Sequence, residues 1–74
     1  MKRKRDITVR LTSRETEVIR LLAAGCSYSQ IGERLGVSFH TVTGHIKNAY
    51  RKLGVHNAAG AVARAIQLHL LDPS

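Results

Sequence analysis

Along this chain the spacing of apolar residues changes character, and each change marks an element. Ile7, Val9 and Leu11 alternate with Thr8 and Arg10, the two-residue period of a short extended segment with one edge on a core. From Thr12 the spacing becomes helical, and Val18, Leu21 and Leu22 fall on one face. Helix starts are signalled by two capping boxes, Thr12 with Glu15 and Ser27 with Gln30, and by single N-cap residues at Ser38 and Asn57. Stops are as regular: Gly25-Cys26, Gly36-Val37 and Gly54-Val55 each place an apolar residue after a glycine, the pattern of a helix closing in a left-handed turn. The spacing predicts four helices, at about 13–24, 28–35, 39–53 and 58–70. No strand is needed to bury the apolar residues, so the expected class is all-α. Residues 1–10 read as a basic flexible or extended arm and residues 11–74 as the folded domain.

The stretch "SFHTVTGHIKNAYRKLGV", Ser38 to Val55, carries the most information. On a wheel of about 100° per residue, Ile46, Ala49 and Leu53 fall within about 40° of Val42 and form a narrow core stripe. The opposite side holds His40, Gly44, Lys47 and Arg51, flanked by Thr43 on one side and by Thr41, Asn48 and Lys52 on the other. The helix before it is short. Its Gly32 permits close approach, Gly36 makes a sharp turn, and Val37 with Val42 holds the angle. That is the layout of a helix-turn-helix, whose second helix projects from the protein and can enter a DNA major groove.

On that reading Ser38 caps the third helix where free backbone N–H groups meet a phosphate, and Thr41 adds a hydroxyl to the same backbone. Lys47 has the reach for guanine O6 and N7, Thr43 offers a hydroxyl or a methyl to base edges, and His40 shares their side. Asn48, Arg51 and Lys52 lie further along and hold phosphates. Gly44 costs roughly 1 kcal/mol against alanine inside a helix. It reads as a point where the backbone approaches a base pair, the other reading being a position silent in readout.

Composition sharpens this only partly. The 74 residues carry a formal charge of +7, which fits a polyanionic partner. Four of the twelve basic residues sit in Lys2–Arg5, and without them eight basic residues face five acidic ones, a net +3. The tail therefore stays open between a solubilising end, an arm that follows phosphates and a piece of interdomain linker. Cys26 is the single cysteine, without a partner for a disulfide or a zinc site, and reads as a small hydrophobe. His40, His56 and His69 lack metal-ligand spacing with one another, and His45 lies about 60° from the core stripe, the position of a structural histidine. No metal or cofactor is expected. No nucleophile motif is present and the domain is too small for a deep pocket, so an enzyme is not expected. Without a long apolar run no membrane span is expected, and the cytoplasm is the default. In the fourth helix apolar residues cover well over half the circumference. Ala58, Val62, Ala65 and Ile66 read as a weak homodimer face that spaces two recognition helices near one turn of DNA.

The segment "LTSRETEVIRLLAAGCSYSQIGERLGVSFHTVTGHIKNAYRKLGV" resembles the LuxR/GerE-type DNA-binding domain of bacterial transcription regulators, over about Leu11 to Leu71. The most specific matches are Leu11-Thr12 with Arg14-Glu15 and Glu17-Val18, the Gly25–Ile31 segment, Ser38 with Thr41-Val42 and His45, and Lys52-Leu53 with Val55. The resemblance implies four helices, a second and third forming the helix-turn-helix, the third reading DNA, and a fourth that often mediates dimerisation. It implies that Thr43, Gly44 and Lys47 look towards bases. The chain departs from the family at Gln30, usually acidic, Gly32, usually alanine, and Thr43, often lysine. It departs again at Ala58 and Gly60, commonly arginine and an acidic residue. Base readout then rests heavily on Lys47. The expected function is sequence-specific binding of double-stranded DNA, placing or blocking RNA polymerase at promoters. The competing reading is a protein-interaction module or antagonist that offers the same outer helix face to an acidic protein. Family members usually join this domain to a receiver or ligand-binding domain, so a free-standing regulator and a fragment both fit.

Overall fold

The computed structural model describes residues 9–71. The basic run Lys2–Arg5, Ile7 and Asp72 to Ser74 lie outside them. Among the described residues the chain forms four helices and no strand: α1 (Ser13–Ala23), α2 (Tyr28–Leu35), α3 (Phe39–Leu53) and α4 (Ala58–Gln67). Val9 and Leu11, the near end of the expected extended segment, pack half-buried against the core.

Both capping boxes form. The Thr12 hydroxyl accepts the Glu15 N–H at 3.1 Å while the Glu15 carboxylate accepts the Thr12 N–H at 2.9 Å. Ser27 and Gln30 repeat the exchange at 3.1 and 2.8 Å. Asn57 caps α4 through the Gly60 N–H at 2.7 Å. Each satisfies donors that the first turn of a helix leaves free.

The core joins Val18 and Ile19 of α1, Ile31 of α2, Val42, Ile46, Ala49 and Leu53 of α3, Ala61 and Ala65 of α4, and Leu71. The stripe expected on α3 is buried throughout. On α1 the buried face is turned from the one expected: Glu15, Val18 and Ile19 are buried, whereas Leu21 and Leu22 are half-exposed. α1 packs against both α3 and α4, and a residue wedged between two neighbours is buried more deeply than one facing a single helix.

α1 ends one residue before the expected Ala24, which becomes its cap. α4 stops at Gln67, three residues short of the expected end at 70. His69 takes a left-handed φ of 61°, its N–H bonding to the Ile66 carbonyl at 3.0 Å and that of Leu70 to the Ala65 carbonyl at 2.8 Å. This is the closing motif that the glycines serve elsewhere. Histidine enters the left-handed region more readily than most residues with a side chain. The reversal brings Leu71 onto the core.

Two features fix α3 against the rest. At the turn, Gly36 adopts φ 70° and the Val37 N–H returns to the Gly32 carbonyl at 3.0 Å. A Cβ on Gly32 would lie 2.9 Å from the Val37 carbonyl oxygen and 3.6 Å from the Val42 side chain, so the approach of α2 to α3 leaves no room there. At the far end Lys52 Nζ donates to Glu15 Oε1 at 2.7 Å, tying the last turn of α3 to the first of α1.

Candidate nucleic-acid interface

α3 contains no acidic residue. At its start the Ser38 hydroxyl accepts the Thr41 N–H at 3.0 Å and donates to the Thr41 hydroxyl at 3.0 Å. With no carboxylate in the first turn, the positive end of the helix dipole is left for an external anion.

His40, Gly44, Lys47, Asn48 and Arg51 are all exposed. Arg51 Nη2 donates to Asn48 Oδ1 at 3.2 Å, which couples the two at the far end of the face. Thr43 is half-buried and its hydroxyl donates to the Phe39 carbonyl at 3.0 Å. Of the two groups expected of Thr43, the hydroxyl is engaged within the helix. A Cβ on Gly44 would meet nothing within 4 Å, so no packing inside the domain calls for glycine there. Gly44→Ala is expected to raise stability by about 1 kcal/mol, read as a higher thermal midpoint. His45 is half-buried on the flank of α3.

Two residues assigned from sequence are placed otherwise. Lys52, expected on phosphates, has its ammonium engaged by Glu15, and the lysine side chain is 32% exposed against 5% for the glutamate. Burial by itself would raise the Glu15 pKa, but the hydrogen bonds from Lys52 and from the Thr12 backbone outweigh it and hold the carboxyl below its ordinary value. Lys52 is thus an internal tie. Ala65, expected in a dimer face, is fully buried in the domain's own core. A helix packed against two others must turn part of its apolar circumference inward, and Ala65 lies on that part. Ala58, Val62 and Ile66 remain half-exposed, and with Leu22, Ala59 and Ala63 they line a shallow apolar depression between α1 and α4.

Phe39, absent from the sequence assignment, is the large hydrophobic residue most open to solvent among the described residues, at 57%. It is the first residue of α3, and its ring leans on Tyr28 of α2 with centroids 5.9 Å apart and planes at 45°. A wheel drawn for α3 alone sets it at the edge of the core side and gives no sign of its exposure. Tyr50 lies half-buried nearby; burial, then the neighbouring Tyr28 hydroxyl, pushes its pKa up to about 12. Among the described residues no group of three or more histidine, cysteine or acidic side chains is placed to hold a metal ion. None of the described helices is long and apolar enough to cross a membrane.

Comparison with known proteins gives this geometry its setting. The family model described as bacterial regulatory proteins, luxR family, matches residues 9–65. The transcriptional activator protein CarR of Pectobacterium carotovorum subsp. carotovorum is 43% identical over 60 residues, covering 81% of this chain and 25% of that protein. The probable transcriptional regulatory protein NarL of Mycobacterium tuberculosis (strain ATCC 25618 / H37Rv) is 44% identical over 62 residues, 84% of this chain and 29% of that one. The chain thus spans about a quarter of the length of the curated relatives it matches. The solved structure of the transcription factor GerE superposes with a TM-score of 0.79 at 37% identity, over 84% of this chain and 92% of that chain. Its four helices follow the same helix-turn-helix fold. The chain belongs to the luxR family of bacterial regulatory proteins and is a DNA-binding domain of that family.

Proposed function

We propose that this domain binds double-stranded DNA sequence-specifically, with α3 in the major groove, and that it does so as a homodimer. The observation that carries the reading is the outer face of α3. Lys47 stands exposed there, with His40 and Gly44 beside it, on a helix without a single carboxylate. Lys47 supplies donors to guanine, the Thr43 methyl meets a base edge, and Gly44 brings the backbone close. Ser38, Thr41, Asn48 and Arg51 hold phosphates on either side, which makes affinity fall as salt rises. If Gly44 serves close approach, Gly44→Ala weakens DNA binding while stabilising the fold.

Residues 11–74 act as the binding unit and residues 1–10 as an arm whose Val9 packs against that unit's core. The action is that of a regulator and not an enzyme, exerted in the cytoplasm by placing or blocking RNA polymerase at promoters.

The test is selection of bound duplexes from a random pool at fixed moderate salt, wild type against Lys47→Ala. A two-fold symmetric site is expected for the wild type. The variant is expected to lose base preference at one position per half-site, at a cost of about 1–3 kcal/mol. Equal weakening on all sequences would assign Lys47 to phosphates, and absence of any enriched site would turn the search to acidic protein partners. For the dimer, Ala59, Ala63, Val62 and Ile66 offer an apolar surface to their own symmetry mates. Ala63→Glu, at an exposed position, is expected to leave the fold intact and abolish cooperative loading of two copies on a two-half-site duplex in sedimentation.

A further inference from the structure

We infer that Phe39 is a specificity residue that receives the C5-methyl group of a thymine in the bound site. The inference rests on the proposal that α3 reads the major groove. Phe39 opens α3, and in a helix-turn-helix the first residues of the second helix are those that reach base edges. Phe39 is 57% exposed, and its ring rests against that of Tyr28 with centroids 5.9 Å apart. Thr43, one turn on, spends its hydroxyl on the Phe39 carbonyl. Phe39, Thr43 and Lys47 follow one another at four-residue spacing and so lie along one flank of α3.

Among the base edges in the major groove, the apolar group is the thymine methyl, whereas the minor groove and the phosphates present none. The absence of acidic residues on α3 suits the surrounding polyanion.

The test uses the site recovered by selection. Each thymine is replaced in turn by deoxyuridine, which lacks only that methyl, and affinity is measured for wild type, Phe39→Ala and Phe39→Leu. For the wild type, one thymine per half-site is expected to weaken binding about fourfold when its methyl is removed, the value of one buried methyl group. Phe39→Ala is expected to be indifferent to that replacement, and Phe39→Leu to retain much of the response. Unchanged thermal midpoints show that the variants fold. The inference is overturned if the wild type ignores every deoxyuridine, or if wild type and Phe39→Ala respond alike at all of them. A site that depends on Lys47 without any methyl response sinks this inference alone; failure to enrich any site sinks the major-groove reading and this one with it.

Discussion

Gly32→Val is expected to remove most of the domain's stability, about 3 kcal/mol, and to appear as loss of helical circular dichroism and a collapsed urea midpoint. The position already has a Cβ-sized space closed by backbone, since the Val37 carbonyl oxygen would stand 2.9 Å away. A carbonyl in a hydrogen-bonded turn cannot rotate aside as a flexible side chain does. The two further methyl groups of valine would also press on Val42, itself fully buried. Overpacking of a tight core costs about 1–3 kcal/mol and sometimes more, and a core of this size has only a few kcal/mol to lose. Gly44→Ala is the companion measurement, because it puts a side chain on a glycine of the next helix where nothing stands within 4 Å. A wild-type midpoint for Gly32→Val would show that α2 and α3 are not held together at this point.

That contrast also shows what could be read from the sequence. The caps, the ends of α2 and α3 and the buried stripe of α3 follow from interactions within four or five residues, and local pattern reveals those. The outer face of α3 was legible for the same reason: it is the complement of its stripe. What escaped depends on partners distant in sequence. Lys52 sits on the wheel among polar residues, and only packing brings it to Glu15, 37 positions away. Ala65 and the alanines around it look alike until the placement of α4 decides which faces the core. Phe39 borders the core side on a wheel of α3 alone and yet is 57% exposed in the fold. His69 ends α4 in a conformation usually marked by glycine, so no residue type announced it.

Lys52→Met is expected to cost about 2 kcal/mol near neutral pH, a loss that shrinks as pH falls through the titration of Glu15. Removing one partner of a buried pair strands the other's charge, at about 3–5 kcal/mol when both are buried. The lysine is 32% exposed and the glutamate side chain 5%, so solvent around the lysine reduces that figure. In the wild type the Glu15 pKa is lowered, so near its titration the folded chain binds fewer protons than the unfolded one. Its stabilisation is fully present above the unfolded value of about 4.3 and disappears as pH falls through the lower folded value. In Lys52→Met burial still raises the carboxyl pKa while the strongest opposing hydrogen bond is gone. The folded value therefore rises, the stability that the wild type gains above its titration is missing, and the two proteins converge as pH falls through the wild-type folded value. Urea unfolding across a pH series reads both effects. Glu15→Gln separates charge from capping: a glutamine still accepts the Thr12 N–H, and the half-exposed lysine left behind can reach water, so a smaller loss is expected. If Lys52→Met and the wild type share one pH profile, the tie carries no stability. If the profile shifts as stated, the same contact is what holds the last turn of α3 to α1. DNA affinity should then fall in Lys52→Met while the preferred bases stay the same, because the side chains that face the groove are untouched.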